Sequence, residues 1–93
     1  MVLNKKWSYI LSKKAQKEIY NFEPKIQIKI LDFFDKIILT PNPRVGGYQL
    51  KGSLRTYWRY RIGDYRAVCY FEDNVLQIVV VKIAHRRKVY KEL

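Results

Sequence analysis

A chain of 93 residues, 48% hydrophobic and 15% aromatic, has the apolar content for one packed core; this excludes a disordered tail and leaves too little for two domains. Nineteen Lys and Arg against eight acids give +11, so the expected partners are polyanions, with nucleic acid ahead of an anionic membrane or an acidic protein. One cysteine, Cys69, excludes an intramolecular disulfide, and with a single histidine it argues against a structural zinc site.

Residues Lys5 to Leu11 alternate, with Trp7, Tyr9 and Leu11 on one side, and predict a short first strand. Ser12 suits the N-cap of a helix in which Ala15, Ile19 and Phe22 form the apolar side. Asn21 to Pro24 breaks that helix, and Pro24 fits the first turn of a second. There Ile26, Ile30, Phe33 and Ile37 make one stripe and Lys25, Lys29, Asp32 and Lys36 the opposite one. The stretch from Thr40 to Gly47 is a connector on composition.

From Tyr48 the period changes to two. Tyr57, Arg59 and Arg61 share one strand face and Trp58, Tyr60 and Ile62 the other. Gly63-Asp64 turns the chain into a return strand over Tyr65 to Phe71, with Cys69 as apolar filler. Glu72 to Asn74 turns again, Val75 to Ala84 reads as the last strand, and His85 to Leu93 as a short basic helix or tail. The order β-α-α-β-β-β predicts a single α+β domain over 1–93, with the helical pair on one face of a mainly antiparallel four-stranded sheet. The other face is left to solvent and the arginines. No apolar run, Ile78 to Val81 included, approaches membrane-spanning length, and no apolar stretch follows Lys5-Lys6 for a signal peptide, so a cytoplasmic protein with no membrane role is expected.

The charge is uneven. Residues 1–43 carry eight basic and four acidic side chains, all the basic ones lysine; residues 44–93 carry eleven and four, including all seven arginines. Arginine grips phosphate with a planar fork and stacks on rings, which lysine does not. No nucleophilic triad and no metal constellation is present, so an enzyme made from this inventory works with Arg, Lys, Tyr and one His. RNA transesterification suits that set, because the substrate brings its own nucleophile in the 2′-hydroxyl. Arginine stabilises charge on the phosphate but is useless as a base. Tyr90 would need its pKa of about 10 lowered by nearby cations, whereas His85, ordinarily near about 6.5, is the easier acid–base group. Alternation leaves open whether His85 faces such a site.

Leu50-Lys-Gly, Trp58-Arg-Tyr-Arg, Gly63-Asp-Tyr-Arg66 and His85-Arg-Arg-Lys-Val-Tyr90, in this order, resemble the signature of RelE-type toxins of the RelE/ParE toxin–antitoxin superfamily. The resemblance covers essentially the whole chain. It implies a ribosome-dependent endoribonuclease that enters the A site of the 70S ribosome and cleaves mRNA by 2′-hydroxyl attack, with neither metal nor cofactor. A cognate antitoxin protein is the implied partner, with DNA reached only through it.

The same resemblance places charge-stabilising arginines at Arg66 and Arg86 and the nucleotide-stacking or activating tyrosine at Tyr90. It sets Arg59 and Arg61 where the best-known members carry two lysines, so a lysine base does not carry over. Arg61 is counted with the catalytic group; Lys51, Arg55, Arg59, Arg87 and Lys88 are the expected RNA-binding residues, and His85 a candidate acid–base group. Two other readings stand beside this one: a ParE-type DNA gyrase inhibitor, and a degenerate RNA-binding member that no longer cuts.

Overall fold

The structure, a computed structural model, describes residues 6–88. Strand β1 is Ser8–Leu11, helix α1 Lys13–Tyr20 and helix α2 Pro24–Ile37. Strands β2 (Tyr48–Gln49), β3 (Trp58–Ile62), β4 (Tyr65–Glu72) and β5 (Gln77–His85) follow, with single 3-10 turns at Gly52–Leu54 and Asp73–Val75. The sheet runs β1-β5-β4-β3-β2, antiparallel except where the first strand lies parallel to the last. It is therefore five-stranded and mixed rather than four-stranded. The additional strand is a two-residue rung, Tyr48 opposite Arg59 and Gln49 opposite Trp58.

Local chemistry accounts for the element ends. Ser12 Oγ accepts the Ala15 N–H at 3.1 Å, satisfying one donor that the first turn of α1 would otherwise leave unpaired. Gln27 donates its amide to the carbonyls of Tyr20 and Phe22 at 3.2 and 2.8 Å, binding the end of α1 to the second helix. Gly63 has φ +59° at the first central position of the two-residue β3–β4 loop, the pattern of a type II′ hairpin turn. The last strand starts at Gln77, later than the alternation predicts, because Leu76 takes a left-handed conformation (φ 50°, ψ 53°) after the 3-10 turn.

Both helices pack on one face of the sheet. Ala15, Ile19, Ile30, Phe34 and Ile37 meet Tyr60, Ile62, Ala67, Cys69, Ile78, Val80 and Ile83 in a continuous core. The predicted stripe on α2 is off by one phenylalanine: Phe34 is fully buried and Phe33 only half-buried. Phe34 stands four residues after Ile30 and three before Ile37, the spacing that returns a helix to the same side. Phe33 packs beside it, with ring centroids 5.3 Å from those of Phe34 and Tyr60. The Tyr60 hydroxyl donates to the Pro43 carbonyl, so the one polar atom of this buried ring is satisfied by the connector. Cys69 is buried filler, as expected, and burial pushes its thiol pKa up. Among the described residues no helix is long and apolar enough to cross a membrane.

Candidate nucleic-acid interface

The sheet face away from the helices carries the arginines in two cross-strand rows. One row runs Tyr48, Arg59, Val68, Lys82 across β2 to β5. The next runs Arg61, Arg66, Ala84 across β3 to β5. Opposed residues of antiparallel strands lie on the same face, so these side chains share one surface.

Backbone geometry holds the second row at the hairpin end. One Arg66 guanidinium nitrogen donates to the carbonyls of Gly63 and Tyr65, both at 2.9 Å. The Arg86 N–H donates to the Asp64 carbonyl at 2.8 Å, which ties the chain just past β5 to the same turn. Arg66 has its pKa lowered by burial and then by the cations Arg61, Arg59 and Arg86, with Asp64 opposing. It remains charged at any working pH. The second cause reflects proximity: Arg61, Arg59 and Arg86 all lie within electrostatic reach of Arg66. Arg59 is steadied differently, its guanidinium 5.2 Å from the centroid of the exposed Tyr48 ring.

The sequence-predicted residues separate accordingly. Arg61, Arg66 and Arg86 come together around the hairpin turn, and Arg59 lies one row away. Arg87 and Lys88 are exposed in the turn that follows β5. Lys51 and Arg55 flank the 3-10 turn Gly52–Leu54, exposed, at the opposite end of β3. His85 is opposite Tyr65 in the register and packs edge-on against its ring at 5.7 Å, while Tyr65 packs on Phe22. That is the helix-bearing face, across the sheet from Arg61 and Arg66. His85 Nδ1 accepts the Arg87 N–H at 3.3 Å. Tyr90 and the rest of the predicted basic tail after Lys88 lie outside the described residues.

Lys82 was not expected in the site. It is only 3% exposed and sits in the Arg59 row. Simple alternation along the last strand aligns Lys82 with the core residues Ile78 and Val80. A β-bulge overturns that parity: Cys69 pairs with Val80 and Val68 with Lys82, so Val81 is the extra residue and Lys82 turns to the arginine face. Among the described residues there is no group of three or more His, Cys, Asp or Glu side chains able to hold a metal ion. What the face offers is a backbone-anchored Arg66 with the positive charge of Arg61, Arg59 and Arg86 around it, suited to a phosphate and to the extra charge a phosphate gains in displacement.

This fold is shared with solved toxin structures. The toxin–antitoxin complex RelBE2 of Mycobacterium tuberculosis matches with TM-score 0.79 at 20% identity, over 87% of this chain and 99% of that one. The RelE–RelB complex of Pyrococcus horikoshii matches with TM-score 0.68 at 22% identity, over 87% and 96%. The isolated RelE toxin of Escherichia coli matches with TM-score 0.69 at 14% identity, over 85% and 83%. No curated protein matches. The fold is thus that of the small RelE/ParE-type toxins. A family model described as the ParE toxin of the type II toxin–antitoxin system parDE matches residues 9–90, and the chain belongs to that family. It is the toxin component of a type II toxin–antitoxin system.

Proposed function

We propose that this toxin is a ribosome-dependent endoribonuclease that cuts mRNA in the ribosomal A site. The observation that carries the reading is the grouping of Arg61, Arg66 and Arg86 about the hairpin turn, where Asp64 is the one carboxylate among the described residues that acts on Arg66. In the proposed reaction the 2′-oxygen attacks the adjacent phosphorus and the bond to the 5′-oxygen of the next nucleotide breaks. The products are a 2′,3′-cyclic phosphate and a 5′-hydroxyl; one proton leaves the 2′-hydroxyl and one reaches the departing oxygen. Arg66 and Arg86 hold the charge on the phosphate, Arg61 assists, and Arg59, Lys51, Arg55, Arg87 and Lys88 bind flanking phosphates. Tyr90 is the tyrosine that stacks on or activates the nucleotide. His85, packed on Tyr65, takes no part in the proposed proton transfer. A cognate antitoxin would block the basic face, and the site of action is the cytoplasm, where the ribosomes are.

One observation favours a second reading. The matching family model is described as the ParE toxin of parDE, and a DNA gyrase inhibitor would act without any cleavage. Toeprinting on programmed ribosomes, with free RNA and a gyrase supercoiling assay alongside, separates the two. The expected result is a new A-site cut that Arg86→Ala and Tyr90→Phe lose while keeping the wild-type circular dichroism and melting temperature. Loss of supercoiling with no cut would transfer the assignment to gyrase.

A further inference from the structure

An open groove of about 800 Å³ lies where β3 enters the sheet and β4 leaves it, at the end remote from the Gly63 turn. Its principal lining residues are Arg44, Arg55, Tyr57, Trp58, Tyr70 and Phe71. Because it wraps the end of the ladder, it takes side chains from both faces: Trp58 and Phe71 from the helix side, Tyr57 and Tyr70 from the arginine side.

Two of the aromatic side chains have a packing role. Phe71 stands edge-on to both Trp58 and Trp7, with centroids 5.8 Å apart in each pair, and closes that end of the core. Arg44 caps them, its guanidinium 4.2 Å from the Phe71 centroid and forked onto Asp73 at 2.8 and 2.9 Å. Arg44 is therefore a fixed planar wall whose charge Asp73 already answers. Tyr57 and Tyr70 have no such duty. They are half-buried on the arginine face, centroids 6.3 Å apart at 78°, beside an exposed Arg55 that meets no carboxylate among the described residues.

We propose that this groove stacks an unpaired nucleobase of the RNA strand whose phosphates lie on the arginine rows, with Tyr57 and Tyr70 as the platform and Arg55 on the flanking phosphate. The inference rests on the proposed RNA reading and adds to it a second subsite distinct from the scissile one. Tyr57 and Arg61 lie on one face of the same chain segment, and four residues of strand span only ~13 Å. A single strand held at Arg61 reaches the tyrosines within a few nucleotides. Groove-lining aromatic rings with an adjacent cation recognise any base by its π-surface, so the subsite would fix strand position without reading sequence.

The test is fluorescence anisotropy of the full chain with a labelled, 2′-O-methylated RNA oligonucleotide, which binds but supplies no attacking hydroxyl. Tyr57→Ala should weaken binding about tenfold, within what one lost base–aromatic stack costs, and Tyr57→Phe should bind as wild type. An abasic position introduced into the oligonucleotide should reproduce that loss in the wild type and add nothing in Tyr57→Ala. The salt dependence should be unchanged in Tyr57→Ala, because no phosphate contact is removed, and shallower in Arg61→Ala. Wild-type affinity in both Tyr57→Ala and Tyr70→Ala, with Arg61→Ala weakened, would overturn the groove while leaving the RNA reading intact. No binding of RNA by the wild type at low salt would overturn the groove, and the absence of an A-site cut on programmed ribosomes as well would remove both. Loss of affinity for the cognate antitoxin but not for RNA would give the groove to the antitoxin and overturn the inference.

Discussion

Glu18 Oε1 accepts the backbone N–H of Ile83 at 2.9 Å, joining α1 to β5 across 65 residues of chain. The contact fills a gap in the ladder. β1 ends at Leu11, opposite Val80, so the outer edge of β5 beyond that point has no strand beside it. The start of α1 replaces the missing partner: the Ser12 N–H donates to the Val80 carbonyl at 2.9 Å and Ser12 Oγ to that of Val81 at 3.3 Å. Glu18 completes the edge nearly two helical turns further on. The bulged stretch Val80–Ile83, which turns Lys82 to the arginine face, is thus pinned from its open side.

Removing that carboxylate should leave a part-buried N–H without its acceptor. Glu18→Ala is expected to cost ~1–3 kcal/mol, the penalty of an unsatisfied buried donor. Glu18→Gln keeps an acceptor oxygen and should lose less. Urea unfolding gives the magnitude, and amide exchange at Ile83 gives the site: protection there should fall in the alanine variant. Unchanged exchange at Ile83 would show that the strand edge is held by something other than Glu18.

The elements with a long period were legible from sequence, and those set by one or two residues were not. The α2 stripe and the β3–β4 hairpin stand out because several residues repeat one spacing. Phe33 and Phe34 are neighbours of equal size, and only the facing sheet decides which is buried. β2 is two exposed residues, Tyr48 and Gln49, with no apolar alternation to mark it. The bulge at Val81 leaves the apolar run intact and yet reverses every facing beyond it. That single feature hides the facing of Lys82 and of His85 from any reading by alternation. The arginines of the candidate site could be named from sequence, since arginine alternating with aromatic residues is a chemical pattern. Their convergence could not, because it depends on the Asp64 carbonyl accepting the N–H of Arg86.

Alkaline pH should unfold this protein through buried acids that resist losing their protons. Tyr9 is pushed up to about 12 by burial, then by its hydrogen bond to Asp35 and the charge of that carboxylate. Tyr60 is raised by burial, with Arg44 opposing, and Cys69 is raised by burial. In the unfolded chain, thiol and phenol ionise near about 8.5 and 10. A folded pKa above the unfolded one means that the folded state holds more protons, so stability falls as pH rises. The contribution is complete below about pH 8.5, declines first through Cys69 and then through the tyrosines, and Tyr9's share is gone by about pH 12. Urea midpoints across this range check it. Tyr9→Phe should flatten the decline above about pH 10 and leave the earlier part as it was. A Tyr9→Phe curve parallel to wild type throughout would remove Tyr9 from the effect.

Gly63 links the fold to the arginine cluster, because its carbonyl accepts Arg66 and the next residue's carbonyl accepts the Arg86 N–H. At φ +59° an L side chain clashes with its own backbone, and a left-handed residue other than glycine costs ~1–2 kcal/mol. A second obstacle is visible: a Cβ at Gly63 would lie 2.6 Å from Lys29 Nζ. That atom ends a flexible chain and can swing away, so the backbone term should dominate. Gly63→Ala is therefore expected to lower the unfolding free energy by ~1–2 kcal/mol, with Lys29→Ala in the same chain giving little back. Substantial recovery in the double variant would mean that the clash with Lys29, not the turn conformation, sets the cost. If the turn governs, Gly63→Ala should also weaken RNA binding beyond its effect on stability, since both arginine anchors move with it. A mere clash at Lys29 predicts no such loss once Lys29 is shortened.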